Sequence, residues 1–191
     1  MVTSYRLRYP TLAAMAGEGP LADVRLEVSY ERPTFHGHER LTVRPGVVDE
    51  AAIELYAYSS CAVLARALHW RTGWPLALLE VPGPPWRWAH VAVITPAGDV
   101  LDIYGVRPVE QVLADVEREH DLQIHLRPIP TLGELFTLIG EREADRRAWL
   151  SGSGTPPLVI ELSGVFADLL LAWAEAVEAV GAAGAAGAVS I

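Results

Sequence analysis

The sequence predicts an α+β fold, an antiparallel sheet packed against a helix that carries a cysteine at its N-terminus. Three observations predict it. Short runs rich in Val, Ile, Tyr and Trp, bounded by Gly and Pro, are interleaved with segments whose apolar residues recur at helical spacing. Two of the strand runs are joined by a loop too short for anything but an antiparallel hairpin. Half of the 191 residues are hydrophobic (51%), enough to bury a sizeable core.

Val24–Tyr30 and Arg40–Arg44 read as two strands joined by a turn-rich segment with Pro33 and Gly37. After Pro45-Gly46, the stretch Val47–Tyr58 reads as a helix with Asp49 and Glu50 near its positive end. A second helix runs from Ser60 to Arg71, with Cys61, Leu64, Ala65 and Leu68 on one stripe and Gly73 and Pro75 beyond its end. Next come a strand (Leu76–Val81), a rigid loop (Pro82, Gly83, Pro84, Pro85, Trp86) and a hairpin of Trp88–Thr95 with Val100–Tyr104. Pro108–Glu119 reads as an amphipathic helix, Leu122–Leu126 as a strand and Thr131–Leu150 as a helix. Ser151–Pro157 has linker composition. Residues 1–150 therefore form the predicted main domain, 151–157 the linker, and 158–191 an appended apolar helix (Leu162–Val180) ending in a Gly/Ala tail.

Charge and cysteine content narrow the function. The 24 acids against 15 bases give a net charge of −9, with no basic run. That argues against a nucleic-acid partner, which needs clustered positive charge. Every base is Arg; Lys and Asn are both absent, a pattern that codon bias in a GC-rich genome explains. A lysine-free surface also offers no side-chain amine to isopeptide-forming chemistry. The single cysteine excludes an internal disulfide framework. The N-terminus lacks a secretory apolar segment, and the charge-free C-terminal stretch Ala179–Ile191 falls short of the ~20 residues of a membrane span. The expectation is a soluble cytoplasmic protein, with export as an effector left open and no membrane partner. The apolar C-terminal helix packs on the domain by default and otherwise docks a protein partner.

The segment Tyr58–Gly105 concentrates the chemistry. Cys61 opens a helix after Ser59 and Ser60, where unpaired backbone N–H groups and the positive helix end favour a thiolate. The same N–H groups suit an oxyanion, which makes Cys61 and Ser60 the candidate oxyanion donors. Pro96-Ala97-Gly98 fits a three-residue hairpin loop, with a type I turn followed by Gly in the left-handed position. That loop pairs Thr95 with Asp99 and sets Ala92 opposite Asp102. His90 and Asp102 then share a sheet face, one diagonal step of about 7–8 Å apart. A two-residue loop would put them on opposite faces. His90 can then serve as general base toward Cys61, with Asp102 fixing the ring's tautomer.

Three runs carry a resemblance: Ser60-Cys61-Ala62-Val63-Leu64-Ala65, His90-Val91-Ala92-Val93 and Leu101-Asp102-Ile103-Tyr104-Gly105. In the order Cys at a helix start, His on a strand, Asp on the next strand, the segment resembles the papain-like superfamily. The similarity is to its compact bacterial branch of transglutaminase-like and papain-fold toxin proteins. The resemblance implies a cysteine-dependent amide hydrolase or acyl transferase (peptidase, deamidase or transglutaminase-like). It also implies a protein or peptide substrate, with no cofactor and no metal. Two departures stand out: no Gln precedes Cys61 to serve as the papain-type oxyanion donor, and the Arg-Gly-Gly lead-in of arylamine acetyltransferases is absent. The alternative is a non-catalytic interaction or immunity-like module that retains the fold.

Other candidates are secondary. Trp74, Trp86 and Trp88, with Trp70, either wall a substrate groove or belong to the core. His36 and His38 have a spacing some metal sites use but lack partners at zinc spacing, so a polar loop is the favoured reading. His69 is expected on the solvated side of the cysteine helix, and His120 and His125 flank a strand without an obvious partner. Arg142, Arg146 and Arg147 with Glu141, Glu143 and Asp145 read as a solvated helix face.

Overall fold

The computed structural model describes residues 12, 23–31, 38–83, 87–139 and 157–187. It is a mixed α+β structure with antiparallel sheets. In chain order the elements are β1 (Leu26–Glu31), β2 (His38–Val43), α1 (Glu50–Tyr58), α2 (Cys61–Thr72), β3 (Leu76–Val81) and β4 (Arg87–Ile94). They continue with β5 (Val100–Asp102), β6 (Gly105–Arg107), α3 (Val109–His120), β7 (His125–Ile129), α4 (Leu132–Ile139) and α5 (Pro157–Gly187). β1 and β2 form a separate ribbon; the other strands make a five-stranded sheet in the order β6-β5-β4-β3-β7.

Side-chain alternation divides the main sheet between two apolar layers. Leu76, Leu78, Val91, Val93 and Leu101 belong to the large core with α2 and α5. Ala77, Leu79, Ala92 and Val100 belong to a smaller cluster completed by Val112 of α3 and Ile124. Covered on both faces, β3 buries all of Leu76–Leu79 and reads as a continuous apolar run.

Helix ends follow their capping residues. Asp49 is the N-cap of α1, its carboxylate accepting the Ala52 N–H at 3.1 Å and pairing with Arg44. The predicted helix Val47–Tyr58 accordingly begins three residues later, at Glu50. α2 stops at Thr72 because Gly73 takes the left-handed conformation (φ 71°).

Four other boundaries move. The predicted strand Val100–Tyr104 is cut after Asp102 by a turn at Ile103-Tyr104, and Gly105 at φ 92° turns the chain into β6. The strand expected at Leu122–Leu126 lies at His125–Ile129. As an edge strand paired with β3 alone, it tolerates Pro128, a residue that argues against a central strand. The helix expected at Thr131–Leu150 is described over Leu132–Ile139, capped by the Thr131 hydroxyl, and its remainder lies outside the described residues. The C-terminal helix is longer than Leu162–Val180. It begins at Pro157, a residue suited to a first helical turn, and stays helical through the Gly/Ala stretch to Gly187. Of the predicted linker, residues 151–156 lie outside the described residues.

α5 is a core element in its first half. Val159, Leu162, Val165, Phe166 and Leu170 recur at three- and four-residue spacing in the large core. Phe166 meets Tyr56 of α1 edge to face at 5.3 Å, and Asp168 pairs with Arg71 of α2 at 2.5 Å. Pro157–Ala176 is long and apolar enough to cross a membrane by length and composition, and half of that stretch is buried inside the fold.

Candidate active site

The thiol is delivered by a two-residue corner. Ser59 and Ser60 both donate their backbone N–H to the Leu55 carbonyl at the end of α1, and Ser60 then caps α2. The Ser60 carbonyl in turn accepts from Val63 and Leu64. Cys61 is therefore the first residue of α2, at the positive end of the helix. Among the described residues, no backbone acceptor takes the N–H of Cys61 or Ala62.

The hairpin loop has the predicted form. Gly98 sits at φ 91°, its N–H donates to the Thr95 carbonyl at 2.9 Å, and the Thr95 N–H donates to the Asp99 carbonyl at 2.8 Å. Val93 pairs with Leu101 and Ile94 with Val100, so His90 and Asp102 fall on the same face. One feature had no local signal in the sequence. Against β3, the register shifts between Leu79, paired with His90, and Glu80, paired with Trp88, which leaves Ala89 as a bulge beside the imidazole.

His90 Nε2 lies 3.1 Å from Asp102 Oδ2. A carboxylate only accepts, so Nε2 carries a proton toward Asp102, and the Cys61 side chain also acts on the imidazole. Burial alone would lower the imidazole's pKa. The hydrogen bonds to Asp102 and Cys61, with the negative charge of both, overcome it and raise the pKa to about 10. Burial likewise works to neutralise Asp102, but His90, the Arg107 guanidinium and the Tyr104 N–H hold its carboxyl below the usual range. The trio is nearly dry: Cys61 is 4% exposed, His90 6% and Asp102 3%.

A cleft of about 810 Å³ opens onto these residues. Its walls come from the end of α1 and the corner (Ala57, Tyr58, Ser59), from β4 (Trp88, Ala89), from the β5–β6 hairpin (Tyr104, Arg107) and from α3 (Gln111, Asp115, Val116, Arg118, Glu119). Burial and a hydrogen bond to Tyr58 keep the Tyr104 phenol protonated well above its ordinary range.

The structure redistributes the other candidates. Trp74 and Trp88 both pack on the large core, and of the two Trp88 also lines the cleft. Trp86 lies outside the described residues. Trp70 is 60% exposed, with the Arg66 guanidinium 4.2 Å over its ring. Ser60 is corrected as an oxyanion donor through its backbone, because that N–H is already given to Leu55. Ser59, not Ser60, faces the cleft. His69 is half-buried rather than solvated, with Nδ1 2.7 Å from the Trp74 carbonyl. His36 lies outside the described residues and His38 opens β2. Among the described residues, no group of three or more His, Cys, Asp or Glu is placed to hold a metal ion.

Sequence reasoning missed Tyr58, Tyr104, Arg107 and the α3 face. Arg107 had a usable signal. In Asp102-Ile103-Tyr104-Gly105-Val106-Arg107, a two-residue turn pairs Asp102 with Gly105 and Val100 with Arg107. That register puts Arg107 one diagonal step from Asp102 on the face His90 occupies. No known protein family, curated protein or solved structure matches this chain.

Proposed function

We propose that this protein is a cysteine-dependent amide hydrolase or acyl transferase of papain-like type, acting on a protein or peptide. One observation carries the reading: Cys61, His90 and Asp102 line one cleft, with the His90 imidazole hydrogen-bonded to the Asp102 carboxylate and acted on by the Cys61 side chain. Neither the cleft nor the imidazole–carboxylate pair is needed for a cysteine that serves only as core filling.

The proposed reaction uses these groups in turn. Proton transfer from sulfur to Nδ1 of His90 leaves a thiolate beside an imidazolium, with Asp102 stabilising the cation. The thiolate attacks the substrate carbonyl carbon, and the negative charge moves to the carbonyl oxygen, toward the free N–H of Cys61. As the C–N bond breaks, His90 gives its proton to the departing amine, leaving a thioester on Cys61. Water, or an amine in a transfer reaction, then attacks the thioester carbonyl with His90 taking its proton. The acid or new amide leaves, and the thiol is restored.

The second reading, a non-catalytic interaction module that keeps the fold, draws on the burial of all three side chains and on the Ser60 N–H being spent on Leu55. Iodoacetamide labelling separates the two. With one cysteine in the chain, native protein that takes up a single carboxamidomethyl group near neutral pH has an accessible, activated Cys61. Labelling in His90→Ala is expected to be slower by on the order of 100-fold. Native protein that labels only after unfolding rules out the enzymatic reading.

A further inference from the structure

The Asp102 carboxylate is held from three sides, and one side belongs to a residue outside the Cys-His-Asp set. Oδ1 accepts the Tyr104 N–H at 2.9 Å, while Oδ2 accepts both His90 Nε2 at 3.1 Å and Arg107 Nη2 at 2.7 Å. Arg107 is itself anchored twice more. Its Nη1 donates to Asp115 Oδ2 of α3 at 3.0 Å, and its guanidinium lies 4.7 Å over the Tyr104 ring. The other oxygen of Asp115 accepts from Arg118 at 3.1 Å. A continuous hydrogen-bonded line of alternating charge thus runs from His90 through Asp102, Arg107 and Asp115 to the exposed Arg118.

We propose that Arg107 is a positioning residue for the Cys61–His90 pair. It pins the Asp102 carboxylate against the imidazole and ties that geometry, through Asp115, to α3. The proposal rests on the cysteine-enzyme reading above and names a further member of the same site.

The physical argument concerns a buried carboxylate. Asp102 is almost wholly removed from water, a setting that favours its neutral form. A neutral Asp102 no longer stabilises an imidazolium, and the proton then returns from His90 to the sulfur. The Arg107 cation opposes this by favouring the charged carboxylate. Two N–H donors on Oδ2 and one on Oδ1 also block rotation about the Cβ–Cγ bond. Arg107 reaches this arrangement at the expense of its own hydrogen bonding: its Nε is buried with no partner among the described residues. An arginine placed only for stability has no reason to leave that group unpaired.

The test measures iodoacetamide alkylation of the native full chain across pH in the wild type, Arg107→Met, Arg107→Lys, Asp115→Asn and His90→Ala. Proton NMR of the imidazole N–H is followed in parallel. In Arg107→Met the acid limb of the rate profile is expected to move to higher pH. The rate near pH ~6 should fall roughly tenfold, and the downfield Nε2–H resonance should be lost. Arg107→Lys, which keeps the charge, should recover most of the rate. Asp115→Asn, which loosens Arg107 without removing it, should fall between. A merely structural Arg107 would lower stability and leave the profile and the resonance unmoved. An Asp115→Asn profile superimposable on the wild type overturns the proposal even if Arg107→Met does not fold. Equal rates for the wild type and His90→Ala overturn the underlying cysteine-enzyme reading instead.

Discussion

The two faces of the five-stranded sheet are built from the same strands and do opposite things. Toward α2 and α5, Leu76, Leu78, Val91, Val93 and Leu101 alternate along β3, β4 and β5 and join one large core. The other face is aliphatic only in its middle, at Ala77, Leu79, Ala92 and Val100. Toward the β5–β6 turn that face changes character, presenting His90, Asp102 and Arg107 on three adjacent strands. Core-forming and polar side chains are therefore separated by one-residue steps along a strand, while Cys61, the first residue of α2, belongs to the large core itself. The α2 layer holds the sheet, and the α3 layer leaves a cleft over its polar end. The bulge at Ala89 marks the transition, since the ladder stays regular from Leu76 to Leu79 and shifts where the imidazole begins.

Substitutions on each side break or sharpen this division. The largest expected effect is at the thiol. Cys61→Ser should abolish alkylation and any acyl transfer while leaving the denaturation midpoint close to wild type, and retained turnover would remove sulfur from the mechanism. In the middle of the large core, Leu78→Ala should lower stability by about 2–5 kcal/mol, as a cavity-forming change in a dry core does. Its alkylation rate per folded molecule should match the wild type, as urea titration combined with labelling would show. A drop in that rate beyond the unfolded fraction would mean that the two faces are coupled.

The pH dependence of stability is a subtler measure of the polar face. His90 is raised from 6.5 to about 10, so its contribution is complete below pH 6.5 and fades as pH climbs toward 10. Asp102 is depressed, so its contribution is present above its unfolded value of 3.8 and fades as acid protonates the folded carboxyl. Wild-type stability should then decline between pH 6.5 and 10 more steeply than that of His90→Ala, and parallel curves would contradict the assigned charge states. The smallest effect is expected at Ser60→Ala. The hydroxyl makes no capping bond, so the change should fall below the ~0.5–2 kcal/mol typical of a lost cap. A larger loss, or slowed alkylation, would restore Ser60 to the site.

Much of this arrangement was legible from local chemistry. Pro96-Ala97-Gly98 specified the loop, the loop specified the register, and the register brought His90 and Asp102 within a hydrogen bond. Asp49, Gly73 and the stripe of Cys61, Leu64, Ala65 and Leu68 placed α1 and α2 to within three residues. Other features were hidden because they depend on contacts remote in sequence. Trp74 and Trp88 look alike in a sequence and both pack on the large core, but of the two Trp88 also reaches the cleft wall. Ser60 looked like a free donor because the Leu55 carbonyl that occupies it belongs to the preceding helix. The edge position of β7, which makes Pro128 tolerable, follows only from the strand order.

By itself, then, the sequence determined the α+β class, the turn that aligns His90 with Asp102, and the helix start that carries Cys61. Each is settled by dihedral preference, capping or alternation within a few residues. Tertiary structure decided the rest: that α3 closes a cleft over one sheet face, that Ala89 bulges beside the imidazole, and that Asp115 of α3 meets Arg107. Those outcomes depend on how whole layers stack. A side chain's partner across such a layer is chosen by packing and charge balance, which no short stretch of chain contains.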